Sequence, residues 1–270
     1  MRLDTETAAR FSLSRTQAAK MIAAGNVSVG GKVVTKPGAE VSGSDEILLS
    51  AAEKFVGRGG YKLEAALDRF GIPVDGMTAV DIGASTGGFT DVMLRNGAKR
   101  VYCVDVGYNL LDYRLRSDPR VTVLERTNAR FLTAEHFPEA PEFGATDVSF
   151  ISLKAILPSV LPRLTGRREF VALVKPQFEA PKEDVGEKGV VRDPAVHARV
   201  LEDILDFVNG TEWKAVGLDH SPIRGQEGNI EFLLHLLPKD APPEEIGKSS
   251  INDIIANAYD FFLKSNGKGL

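Results

Sequence analysis

The stretch Asp81–Thr90, D-I-G-A-S-T-G-G-F-T, constrains this chain more than any other. Met77 to Val80 before it are short and largely apolar, as a buried strand should be. Asp91 to Leu94 after it run on to Gly97, a natural helix terminator. The order is strand, glycine-rich turn, helix. Glycines at 83, 87 and 88 let the backbone pass close to a ligand where a Cβ would clash. The unpaired N–H groups of the helix start face whatever binds there. A second strand, Arg100 to Asp105, ends on an acid about 20 residues past the loop, where folds of this kind hold a ribose hydroxyl pair. The spacing departs from the dinucleotide pattern G-x-G-x-x-G.

The 270 residues suffice for one large domain, or a large one plus a small one. Net charge is −4 but unevenly spread: residues 1–58 hold 8 basic against 6 acidic side chains, the remainder 25 against 31. A mildly basic N-terminus permits a nucleic-acid contact. Cys103 is the single cysteine, so no disulfide forms within the chain and a reducing compartment fits. No apolar run approaches ~18 residues and no signal peptide is visible, so a soluble cytoplasmic protein is the expectation. The four histidines show no ligand spacing and one cysteine cannot make a thiolate zinc site, so no metal is expected.

Residues 1–52 read as a small α+β unit. Ser14-Arg15-Thr16-Gln17 is a capping box, followed by the helical stripe Ala18, Met21, Ile22 and a stop at Gly25. Val27–Val29, Gly30-Gly31 and Val33-Val34 spell a hairpin, and Glu46–Leu49 a last strand. Residues 53–61 read as a linker made free by glycines. From residue 62 to 270, strands and helices alternate. A helix carries Leu63, Ala66, Leu67 and Phe70 and ends at Gly71; strands follow at 121–124, 143–147, 170–174, 213–218 and 230–237. Helices are expected at 153–164 with a break at Pro158, from Asp193-Pro194 through Phe207, and at 251–263. Residues 180–192, polar and glycine-rich, read as a mobile loop. The pattern predicts an α/β Rossmann-like fold, a mostly parallel seven-stranded sheet with an antiparallel final strand.

Ligands in such sheets bind beyond the carboxyl ends of the strands. Asp147 and Lys175 end consecutive strands, Lys62 leads the helix before the first, and Glu231 starts the last. Two lysines and two carboxylates can therefore converge beside the glycine-rich loop, which fits S-adenosylmethionine better than a dinucleotide. Gly83, Ser85, Thr86 and Gly87 are expected at the methionine end, Asp105 at the ribose and Asn128 at the adenine edge, with Asp81, Gly88 and Phe89 completing the cofactor set.

Two resemblances sharpen this reading. R-L-D, then S-R-x-x-A-x-x-x-I-x-x-G-x-V-x-V-x-G-x-x-V, then K-P, resembles the S-four-like RNA-binding domain, and covers nearly all of residues 1–50. It implies phosphate contacts from Arg2, Arg15, Lys20 and Lys32. V-G-R-G-G-Y-K-L, D-I-G-A-S-T-G-G-F-T, V-D-V-G-Y, D-P-R-V-x-V-L-E-R-T-N-A-R, D-V-S-F-I-S-L and V-K-P-Q-F-E run in the order of the TlyA family. That family comprises bacterial 2′-O-methyltransferases of ribosomal RNA, also called haemolysin A, with an FtsJ-like catalytic part. The resemblance implies S-adenosyl-L-methionine as cofactor, cytidine in ribosomal RNA as target, ribosomal subunits as partners, and a catalytic tetrad of Lys62, Asp147, Lys175 and Glu231. Two departures stand out: Gly57 replaces a usual serine, and the strand before Asp147 is less apolar than usual.

The residue types suit the chemistry. A ribose 2′-OH is a poor nucleophile and needs a base or a stabilised oxyanion. Lys175 is the expected base, its proton loosened by Lys62 and by the sulfonium, with Asp147 and Glu231 orienting the ammoniums. The alternatives are an RNA-binding or ribosome-assembly protein without catalysis, and a membrane-active haemolysin. The intact tetrad argues against the first. The lack of a transmembrane segment or a strongly amphipathic, lysine-rich helix argues against the second. Base methylation would want a cysteine nucleophile or an N-P-P-Y-like loop, and D-V-S-F-I-S is neither.

Overall fold

Strands that are apolar on both faces and separated by helices must lie in a sheet covered on both sides. The computed structural model, which describes residues 1–23, 25–49, 54–225 and 227–265, shows this arrangement in the second of two units, Met1–Lys54 and Phe55–Leu270. The expected boundary at residues 52 and 53 lies outside the described residues.

The first unit holds α1 (Leu3–Arg10), α2 (Arg15–Ala23), β1 (Val27–Val29), β2 (Lys32–Val33) and β3 (Ile47–Leu49). The strands form an antiparallel sheet in the order β2-β1-β3. The capping box forms as expected: Gln17 N–H donates to Ser14 Oγ at 3.2 Å, and Ser14 N–H donates to Gln17 Oε1 at 2.9 Å. Leu3, Ile22, Val27, Val41 and Ile47 make a small core of its own.

The second unit opens with α3 (Gly59–Phe70), β4 (Thr78–Ile82), α4 (Gly88–Arg95), β5 (Arg100–Val104), the short α5 (Tyr113–Arg116) and β6 (Val121–Leu124). It continues with β7 (Phe143–Thr146), α6 (Leu153–Val160), β8 (Glu169–Val174), the short α7 (Pro176–Glu179), α8 (Pro194–Asn209), β9 (Trp213–His220), β10 (Phe232–Pro238) and α9 (Ile251–Ser265). The seven strands lie in the order β6-β5-β4-β7-β8-β10-β9. The first five pair in parallel, and β10 runs antiparallel to both its neighbours. Alternation along each strand feeds two cores. Val80, Ile82, Tyr102, Phe170, Ala172 and Leu234 face one side with α6, α8 and α9. Ala79, Val101, Cys103, Ala145, Val171 and Leu173 face the other with α3 and α4. The expected break at Pro158 falls slightly later: the α-helix ends at Val160 and continues as a 3₁₀ turn through Arg163.

Two expectations need correction. The described part of the supposed linker is not slack. Phe55 is buried, meets Tyr61 edge-on at 5.3 Å and lies beneath the Arg95 guanidinium. Helix α3 already starts at Gly59. The glycines there serve close packing: a Cβ on Gly60 would stand 2.4 Å from the Phe55 ring, and one on Gly57 2.5 Å from Thr86 Oγ1. Likewise, residues 180–192 are pinned. They form two 3₁₀ turns, and Val191 N–H and Gly189 C=O both bond the Asn229 side chain.

Gly88, at the start of α4, carries the contact that sets α3, because a Cβ there would meet the Gly60 nitrogen at 2.8 Å. Backbone cannot swing aside as a side chain can. Gly88→Ala should therefore cost roughly 1–3 kcal/mol of stability, as overpacking does. Urea unfolding checks this, and an unchanged midpoint would contradict it.

Candidate active site

The carboxyl ends of β4, β7 and β8 open into a cleft of about 590 Å³ that contains all four predicted tetrad residues. Lys62 projects from the first turn of α3 and is only 7% exposed. Its Nζ lies 2.7 Å from Glu231 Oε2 and 3.4 Å from Asp147 Oδ2. Lys175 follows β8; its Nζ lies 2.6 Å from Asp147 Oδ1 and donates to Ser149 Oγ at 2.9 Å. Asp147, just past β7, thus bridges both ammoniums. Glu231 immediately precedes β10, and the turn at Gly225 passes so close that a Cβ there would stand 2.5 Å from Glu231 Oε1.

Burial and charge compete here. Burial works against the Lys62 charge, but the Asp147 and Glu231 carboxylates outweigh it and hold its pKa above the ordinary lysine value. Burial also lifts Glu231 above the usual carboxylate range, against the opposing pull of Lys62.

The glycine-rich turn forms the floor. Asp81 is fully buried at the penultimate position of β4. Its Oδ2 accepts from Thr90 N–H at 3.0 Å and from Thr90 Oγ1 at 2.7 Å, while its Oδ1 has no partner among the described residues. Burial pushes its pKa up to about 7. Gly83 has φ +82°, and a Cβ on it would crowd Val148 and the Asp147 backbone at 3.1–3.3 Å. Ser85 and Thr86 line the cleft with Gly83, Gly88 and Phe89. Gly87 is placed differently from expectation. It is buried behind Leu111 and Leu115, and serves as the left-handed cap of α4 (φ +97°).

A second lobe of about 360 Å³ shares Gly83, Ser85, Asp147, Ser149 and Phe150 with the first. Asp105 and Asn128 line it. Asp105 accepts from Ser85 N–H at 2.8 Å and Gly107 N–H at 2.7 Å, so its carboxylate is held fast just past β5. Asn128 Oδ1 accepts from Arg130 N–H and caps a 3₁₀ turn.

Sequence reasoning missed several cleft residues. Phe150 is 90% exposed with φ +65°, and its ring meets Phe178 at 5.0 Å. An exposed aromatic ring backed by a half-buried one at a cleft rim can stack a planar base. Ser149, Gln177, Lys188 and Asn229 also line the cleft. The one available signal was a large aromatic placed directly beyond a strand end, in D-V-S-F-I-S.

In the first unit, Lys20 and Lys32 are exposed as expected. Arg2 and Arg15, however, both engage the buried Asp4, at 2.8 and 3.2 Å. The Arg2 hydrogen bond holds that carboxyl well below its ordinary pKa.

The FtsJ-like methyltransferase family model matches residues 55–237, and the S4 domain model matches residues 1–47. The 16S/23S rRNA (cytidine-2′-O)-methyltransferase TlyA of Mycobacterium tuberculosis is 43% identical over 87% of this chain and 89% of its own length. The chain belongs to the TlyA family of FtsJ-like methyltransferases. Hemolysin A of Brachyspira hyodysenteriae, 41% identical, is covered over 100% of its length and 88% of this chain. A solved hemolysin-named structure from Streptococcus thermophilus superposes with a TM-score of 0.79 at 43% identity, covering 99% of this chain and 98% of that one.

This TlyA-family site carries a stability cost that can be measured. Asp81 moves from 3.8 to about 7, so between those values the folded chain keeps a proton that the unfolded chain has released. Stability contributed by this group therefore falls as pH rises from about 4 to about 7. Asp81→Asn should melt at least as high as wild type at pH 8 and lose that downward slope. Melting curves at pH 5 and pH 8 that run parallel in the two proteins would contradict the assignment.

Proposed function

We propose that this protein transfers a methyl group from S-adenosyl-L-methionine to the 2′-hydroxyl of cytidine in ribosomal RNA. The observation that carries the reading is the closed Lys62–Asp147–Lys175–Glu231 cluster in one cleft with the glycine-rich turn. The residues present fit the cofactor. The partnerless Asp81 Oδ1 suits an ammonium. Gly83 and Ser85 line the floor, and the fixed Asp105 carboxylate suits a pair of ribose hydroxyls. Asn128 stands in the same lobe for the base. Bound there, the cofactor supplies an electrophilic methyl on a positively charged sulfur.

After giving up one proton to solvent, Lys175 as a neutral amine takes the proton of the target hydroxyl as its oxygen becomes a nucleophile. Asp147 keeps Lys175 in place and shares its second oxygen with Lys62. Lys62 and Glu231 complete the charge balance, so two buried ammoniums stand in one cleft without repelling each other apart. Positioning carries much of the rate, since transfer to oxygen must run in line. Among the described residues no group of three or more side chains has metal-ligand placement, and no helix is long and apolar enough to cross a membrane. Cytoplasmic work on ribosomal subunits follows from the substrate.

Lys175→Ala should lower methylation of ribosomal subunits by about 10²–10⁴-fold, the usual size of a general-base contribution, with cofactor affinity near normal. Lys175→Arg should fail as well, because a guanidinium keeps its proton. An arginine variant with wild-type turnover would reduce Lys175 to a positioning charge.

The first unit serves RNA recognition in this reading, through Lys20 and Lys32 as phosphate contacts beside the Arg2 and Arg15 pairs. The double change Lys20→Ala, Lys32→Ala should weaken subunit binding and flatten its log–log salt slope by about 1.4–1.8. An unchanged slope in filter binding would remove those lysines from the interface.

A further inference from the structure

Lys188 stands where a lysine is out of place. It is the middle residue of the 3₁₀ turn Glu187–Gly189, with φ +61°. Left-handed backbone is glycine's conformation, and a Cβ makes it costly. A glycine at 188 would relieve that strain. Lys188 lines the main cleft together with the tetrad.

The charge there is not cancelled. Lys62 and Lys175 are each paired with Asp147 or Glu231. Lys188 takes part in no ion pair among the described residues, although Glu227 lines the same cleft. A phosphodiester entering the cleft would find the tetrad lysines already compensated and Lys188 available.

The loop that carries Lys188 is held by one buried amide. Asn229, 1% exposed, accepts from Val191 N–H through Oδ1 and donates to Gly189 C=O through Nδ2, both at 2.9 Å. Its own carbonyl accepts from Gly225 N–H at 2.9 Å, and Glu231 lies two residues further on. The clasp therefore joins the lysine's loop to the turn that sets Glu231.

We propose that Lys188 binds a backbone phosphate of the RNA strand that presents the target ribose, and that Asn229 is the positioning residue for it. The proposal rests on the reading of the cleft as the methyl-transfer site, but its test separates the two.

Lys188→Gly removes the charge and the strain together, so it should fold with a melting temperature equal to or above wild type. With purified ribosomal subunits its KM should rise about 5–10-fold, with the saturated rate close to wild type. The log–log salt slope of subunit binding should flatten by about 0.7–0.9, the share of one phosphate. Asn229→Asp keeps the acceptor for Val191 N–H but sets a carboxylate oxygen against Gly189 C=O. It should raise KM in the same direction with cofactor affinity intact. Lys264→Ala, the same charge change on the surface of α9, is the control and should leave KM unmoved. Lys188→Gly with wild-type KM and salt slope, or with a reduced saturated rate at unchanged KM, would overturn the phosphate role. Asn229→Asp with wild-type KM would overturn the clasp. The salt slope needs no turnover, so it can be read in the Lys175→Ala background even if the tetrad reading itself fails.

Discussion

The structure of the site depends on one carboxylate. Asp147 stands at the end of β7 with an ammonium on each oxygen, Lys175 at 2.6 Å and Lys62 at 3.4 Å. Two lysines this buried repel each other and lose hydration, and only a shared counter-charge holds them in one cleft. Glu231, 2.7 Å from Lys62, supplies the second negative charge and makes the cluster neutral. Removing Asp147 would leave two buried cations short of a partner, a loss on the order of 3–5 kcal/mol. Placement of that carboxylate is a matter of sheet order: β7 lies between β4 and β8, so its end is flanked by the glycine-rich turn and by Lys175.

The glycine-rich side of the cleft is built on a different constraint, close backbone approach. Gly88 against Gly60 and Gly57 against Thr86 leave no room for side chains. That packing brings the start of α3, and with it Lys62, onto the glycine-rich turn. The segment from Phe55 to Gly60 is thus structural support for Lys62. Asp81 shows the cost of such a site, as a fully buried carboxyl with one oxygen left without a partner. A protein built for stability alone would have an amide or an apolar residue there.

Much of this was legible in the sequence because it is written in local patterns. Short, largely apolar runs at 78–82, 100–104 and 170–174 announce buried strands whose two faces feed two cores. Gly71 and the Ser14–Gln17 box mark helix ends through chemistry confined to a few neighbours. The tetrad was legible because Asp147, Lys175 and Glu231 fall at strand ends, Lys62 heads a helix, and all four match family motifs. What stayed hidden depends on contacts distant in sequence. The glycines at 57 and 60 look the same whether they give slack or close packing; only Thr86 and Phe55 decide between the two. The loop at 180–192 looked mobile because its anchor, Asn229, lies about 40 residues away. The pairing of Arg2 and Arg15 with Asp4 was hidden in the same way, since exposed basic residues give no sign of a buried partner.

The account stands or falls on which atom receives the methyl group. Ribosomal subunits incubated with this protein and S-adenosyl-L-methionine labelled in the methyl group, then digested with alkali, give a direct answer. Alkali cleaves RNA through a free 2′-OH, so a 2′-O-methyl group protects its own linkage. The account predicts that label emerges in an alkali-stable dinucleotide whose first residue is cytidine. Label on a base, recovered in an ordinary mononucleotide, would contradict it.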